Sequence, residues 1–110
     1  MFLEVKDSLP ISGDGYDGQI IREIKACALD LTTSAEILLP GTIDITISSQ
    51  GVITDNSTIT DELIIVAIAT WCNMRIGNPP NYDKLLAAYN ALKGQLRLSK
   101  TYTTSEVTAE

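Results

Sequence analysis

This 110-residue chain reads as mainly α-helical: a small helical bundle of one short N-terminal helix plus three longer helices, with an extended β-hairpin-like arm between the first and second long helices. Three features say so. Apolar residues recur at helical spacing in residues 18–33 and again from Asp83 to Leu96; the run Leu63 to Ala69 is apolar at every position; and Ile43, Ile45 and Ile47 alternate with Thr42, Asp44, Thr46 and Ser48.

At this length the chain is expected to be one domain, residues 1–99, with the arm at about 40–57 and a flexible C-terminal tail at 100–110. With 45% hydrophobic residues it can bury a core, so wholesale disorder is not expected. The first ten residues, MFLEVKDSLP, lack the basic start and apolar centre of a secretory signal. Leu63 to Ala69 is far short of the roughly 20 residues that span a bilayer. A cytosolic origin with no membrane partner is the expectation.

Residues 2–9, FLEVKDSL, can form one or two helical turns, stopped by Pro10. In ISGDGYDG, three glycines and two aspartates make a loop. Asp17 is expected to cap the helix that follows, with Tyr16 and Ile21 placed as a hydrophobic staple. Ile20, Ile24, Cys27, Ala28 and Leu31 then share one face. Arg22, Glu23, Lys25 and Asp30 share the other, either solvated or lying against a neighbour.

Ser-Ser-Gln-Gly supplies the turn between the alternating isoleucines and Val52-Ile53. A two-stranded hairpin is marginal alone, so it must lean on the helices or on another chain. Thr60 offers a hydroxyl cap, with Asp61 and Glu62 at the positive end of the next helix. At about 100° per residue, Leu63 to Ala69 cover its whole circumference. Such a helix is either the centre of a compact bundle or shared between its own domain and a partner, and the sequence leaves both open. Two large aliphatics left wet would forgo about 2 kcal/mol each.

Gly77 is placed to end this helix, Pro79 and Pro80 forbid its continuation, and Asn81 can cap the next. In that last helix Leu85, Tyr89, Leu92 and Leu96 form a narrow core stripe. Ala87, Ala91 and Gly94 fall opposite, where they either admit another helix or simply favour helix formation. Lys93, Arg97 and Lys100, with Lys84, make a basic row of the kind usually solvated.

The chemistry is sparse. There is no histidine, and Cys27 and Cys72 are not in C-x-x-C spacing, so no metal site, disulfide framework or nucleophilic constellation is indicated. Both cysteines read as small buried hydrophobes. A calcium loop counted from Asp14 fails, with Tyr16 in the third place and Lys25 in the twelfth, where a bidentate Glu belongs. No glycine-rich phosphate cradle occurs. The expectation is no catalytic residue, no cofactor and no enzyme.

Charge is uneven. Residues 1–62 hold eleven acids and three bases, a net of −8, and residues 63–110 hold three acids and five bases, a net of +2, which together give −6. A negative chain repels phosphate, but halves of unlike charge can complement a second copy head to tail.

The order of segments carries a resemblance. EVKDSLPI, an acidic Gly-Asp loop, YDGQIIREIKACALDLT, an extended insertion, TDELIIVAIATWCNMRIGNP and YDKLLAAYNALKGQLRLSKTY together resemble the head-tail connector, or adaptor, proteins of long-tailed bacteriophages. The likeness covers residues 2 to about 102. It rests on Trp71 and Arg75 at the end of the apolar helix, and on Tyr89, Leu92, Lys93 and Leu96 followed by Ser99 and Tyr102. GTIDITISSQGVITDN is where the chain departs most.

The resemblance implies a structural virion protein, assembled in the host cytoplasm as a ring of about a dozen copies. The ring would lie between the portal and the stopper or tail-completion protein, complete the head and extend the DNA channel. With the apolar helix it implies subunit contacts at Ile64, Ile65, Ile68, Trp71 and Arg75, a portal contact at Lys100, Tyr102 and Val107, and a hairpin arm of Ile43, Ile45, Ile47 and Val52. An acidic ring interior would let DNA slide without sticking. The alternative is a small cytosolic helical regulator, of antitoxin or anti-repressor type, which would settle as a dimer.

Overall fold

The structure, a computed structural model, describes residues 1–11, 13–76 and 80–98. In chain order these residues form α1 (Phe2–Asp7), α2 (Asp17–Thr33), β1 (Ile45–Ile47), β2 (Ile53–Asp55), α3 (Glu62–Arg75) and α4 (Tyr82–Leu98). A mainly helical bundle with one antiparallel hairpin between α2 and α3 is what the sequence predicts. No helix among the described residues is long and apolar enough to cross a membrane.

The apolar run of α3 explains the arrangement, because α3 packs against α1, α2 and α4 together. Asp61 caps it, its Oδ1 accepting from the Leu63 and Ile64 amides at 3.0 and 3.3 Å. The cap is therefore Asp61 and not Thr60, since the carboxylate meets two orphan amides at the positive end of the helix. Ile64, Ala67, Ile68 and Cys72 are fully buried. The contribution of α1 was not visible in its own six residues: it turns Phe2 and Val5 inward and packs against α3.

α2 follows its predicted stripe, with Ile20, Ile24, Cys27 and Leu31 all fully buried. Its start differs from expectation. The N-cap is Tyr16, without a side-chain cap bond, and Asp17 is the first helical residue. Its carboxylate is buried and Oδ1 lies 2.7 Å from Lys6 Nζ, an ion pair that gives this otherwise unpartnered oxygen its partner. Lys6 also reaches Asp14 Oδ1 at 3.1 Å, so both loop acids turn to one cation of α1. After α2, Glu36 takes a left-handed backbone with φ 57°, which costs about 1 kcal/mol. That turn brings the Ile37 amide to the Leu31 carbonyl at 3.0 Å and lets Ile37 bury its side chain.

The hairpin pairs Ile45 with Asp55, Thr46 with Thr54 and Ile47 with Ile53. Amides of Asn56 and Thr58 bond the carbonyls of Asp44 and Thr42 below the ladder, and Gly51, at φ +84°, closes the turn above it. At the base, a Cβ on Gly41 would stand 2.7 Å from Thr58 Oγ1, so the two chains approach there as closely as glycine permits. The hairpin leans on the helices: Ile45 is buried, Ile43 is packed against the core, and Asp55 is fastened to α1. Ile47 and Val52, at the tip, remain exposed.

Asp55 Oδ2 accepts from the Phe2 amide at 2.8 Å and from the Met1 ammonium at 3.0 Å, and Oδ1 accepts from the Ser57 amide at 3.0 Å. Partial burial would raise this carboxyl, but the bonds from Phe2, Ser57 and the ammonium outweigh it and hold Asp55 well below the ordinary carboxylate range. A group lowered in this way contributes stability above about pH 4, the unfolded value, and loses it as pH falls through the folded one. Asp55→Asn is therefore expected to lower the thermal midpoint at neutral pH. The gap from the parent chain should close in strong acid, where the parent loses the same contact. Parallel melting curves across the acid range would show that Asp55 does not hold the hairpin.

Candidate assembly surface

Three surfaces decide what the fold could present to a partner: the flank of α3, the outer face of α4, and the hairpin tip with the groove beside it. Each follows from which side of its element the core consumes.

On α3 the expected contact residues divide. Ile64 and Ile68 are 0% exposed within the chain itself and offer no surface to a second copy. α3 is packed by three helices, α1, α2 and α4, and these side chains belong to that core. Ile65 is half-buried. The apolar side chains of α3 that do reach solvent are Leu63 and Val66, at 39% and 45%.

Trp71 and Arg75 are also engaged inside the chain. The Trp71 Nε1–H donates to Glu23 Oε1 at 3.0 Å, and its ring meets Tyr89 edge-on with centroids 5.3 Å apart. Arg75 stacks over the Trp71 ring at 5.2 Å and pairs with Glu23 at 3.5 Å, leaving half of its side chain exposed. One acid of α2 thus orients the indole and the guanidinium of α3.

A second acid of α2 does the same for α4. Tyr89 Oη donates to Asp30 Oδ2 at 2.7 Å, and Lys93 Nζ reaches the same oxygen at 3.2 Å while lying 5.1 Å over the Tyr89 ring. Cys27 Sγ is 3.5 Å from the Tyr89 oxygen. Burial pushes the Cys27 thiol up to about 12 and raises Cys72 as well, so both are protonated at neutral pH and behave as apolar filling. Burial, then Cys27 and Asp30, raises Tyr89 in the same sense. Glu23, Asp30 and Lys93 could have been suspected from sequence only as members of polar faces, because their partners lie 48 to 63 residues away.

α4 packs one-sidedly. Tyr89 and Leu96 are buried, Leu85 and Leu92 are packed against the core, and the opposite face, with Ala87, Ala91 and Gly94, is open to solvent. Leu86 is 37% exposed and Leu98, at the end of the helix, is 87% exposed. Around Ser34, Asn90, Lys93, Gly94 and Arg97 there is a small notch of about 150 Å³.

The larger concavity, about 580 Å³, lies between α1, the Gly-Asp loop and the hairpin, and includes Leu3, Ile53, Glu4, Lys6, Asp14 and Asp55 in its lining. Its charged groups are already paired with one another, Lys6 with Asp14 and Asp17, and the Met1 ammonium with Glu4 and Asp55. Lys100, Tyr102 and Val107, expected to contact a portal, lie outside the described residues, as does the whole 100–110 tail; Gly77 and Pro79 do too.

Compared with known proteins, the chain matches no protein-family model, no curated protein and no solved structure.

Proposed function

We propose that this chain is a non-enzymatic structural subunit that works by assembly: a connector that forms a ring between a phage portal and the stopper or tail-completion protein. The observation that carries the reading is the one-sided packing of α4. Its inner face supplies Tyr89 and Leu96 to the core, while Ala87, Ala91, Gly94 and the 87% exposed Leu98 lie on surface that the described residues leave open. Small residues let a neighbouring backbone approach, and a protruding leucine on such a face gains up to roughly 2 kcal/mol when covered. The unlike charges of the two halves, −8 and +2, allow contact between copies, although Arg75 and Lys93 of the second half are already paired with Glu23 and Asp30 of the first.

Segment order adds support, since the short N-terminal helix, the acidic loop, the apolar helix with its aromatic-to-arginine ending and the last amphipathic helix follow the connector pattern. In this reading the hairpin tip and the tail beyond Leu98 face the proteins above and below the ring, and DNA passes without sequence-specific binding. The test is to mix the purified chain with purified portal and image the product. Closed rings coaxial with the portal are expected. A chain that sediments as a stable dimer and leaves the portal bare would instead favour the regulator.

A further inference from the structure

The groove beside the hairpin tip has an apolar wall that the described residues leave uncovered. Leu3, 67% exposed, and Ile53, half-buried, line the groove. Base and tip of the hairpin behave differently. Asp55 ties the base to α1, and Gly51, at the turn, lines the same space of about 580 Å³. Four carboxylates, Glu4, Asp14, Asp17 and Asp55, against Lys6 and the Met1 ammonium leave this space two negative charges. The carboxylates at its rim are the exposed ones, with the side chains of Glu4 and Asp14 at 60% and 92%.

We infer that this groove receives the last turn of α4 from a second copy, with Leu98 set against Leu3 and Ile53 and Arg97 beside Glu4 and Asp14. The choice of occupant rests on complementarity. Leu98 is the most exposed large apolar side chain among the described residues. It adjoins Arg97, so this protruding leucine sits beside an exposed cation at the end of the helix. The groove offers the converse, an apolar wall under an acidic rim. The donor turn and the acceptor groove belong to different parts of the chain, so the contact is head-to-tail and repeats from copy to copy. This contact rests on the ring reading above and specifies its geometry.

The experiment uses full chains carrying one new surface thiol each, Leu3→Cys in one and Leu98→Cys in the other. Cys27 and Cys72 are buried, and the parent chain is the control for their silence. Treated together with a short bis-maleimide at low ionic strength, the two chains are expected to give the mixed product well above either like-with-like product. Adding Arg97→Glu to the Leu98→Cys chain should lower the mixed yield about fivefold, and Glu4→Arg with Asp14→Arg in the Leu3→Cys chain should restore it. Predominance of like-with-like products, absence of any cross-link, or indifference to the charge reversal would each overturn the contact. Rings that an Arg97→Glu chain still forms on the portal would reject this groove and leave the ring reading standing. A parent chain that forms no ring there rejects both.

Discussion

Ile68→Asp is expected to abolish the cooperative thermal transition of this chain, while Val66→Asp, two positions away, leaves it nearly unchanged. Ile68 is fully buried on α3 where α1, α2 and α4 converge, whereas Val66 is 45% exposed. Removing a buried isoleucine costs about 2–5 kcal/mol, and an unpaired carboxylate in its place adds several more. A domain of this size has a total stability on the order of 5–15 kcal/mol, so the sum exceeds or exhausts it. The exposed site should stay within about 0.5 kcal/mol. Circular dichroism melts of the two variants decide the matter. Similar melts would mean that α3 is not the centre of the bundle.

Tyr89→Ala is the next most damaging change, at about 3–5 kcal/mol by denaturant midpoint. It removes the edge-on contact with Trp71, the ring beneath Lys93, and the hydroxyl that donates to Asp30. Tyr89→Phe separates these contributions, because it keeps the ring and leaves Lys93 as a partner of Asp30. The phenylalanine variant should lose about 1–2 kcal/mol. If the two substitutions cost the same, the hydroxyl and not the ring joins α4 to α2.

The helices were legible because their signals are local. The spacing of Ile20, Ile24, Cys27 and Leu31, and of Leu85, Tyr89, Leu92 and Leu96, names the buried face of α2 and α4 without reference to anything distant. The hairpin was equally readable from the alternation of Ile43, Ile45 and Ile47, although only the structure shows its base docked and its tip free. What failed depended on tertiary neighbours. α3 is apolar all round, which fits a central helix and a shared one alike, and only the packing of three helices around it settles Ile64 and Ile68 as core. Asp17 looked like a cap because its ion-pair partner, Lys6, belongs to another helix. Trp71 and Arg75 were legible as an interface-like pair by residue type, but the contact of each with Glu23 of α2 was not. Among the described residues, exposed apolar surface lies on both helices, Leu63 and Val66 on α3 and Leu86 and Leu98 on α4.

The most direct check is to compare the parent chain with Ala91→Arg on purified portal. Ala91 is exposed on the outer face of α4, so arginine there should leave the thermal midpoint unchanged while its bulk and charge hold a neighbour off. Closed rings with the parent chain and none with Ala91→Arg, at equal stability, are predicted. Equal rings from both chains, or a portal left bare by the parent chain, would contradict the assignment of this face to assembly.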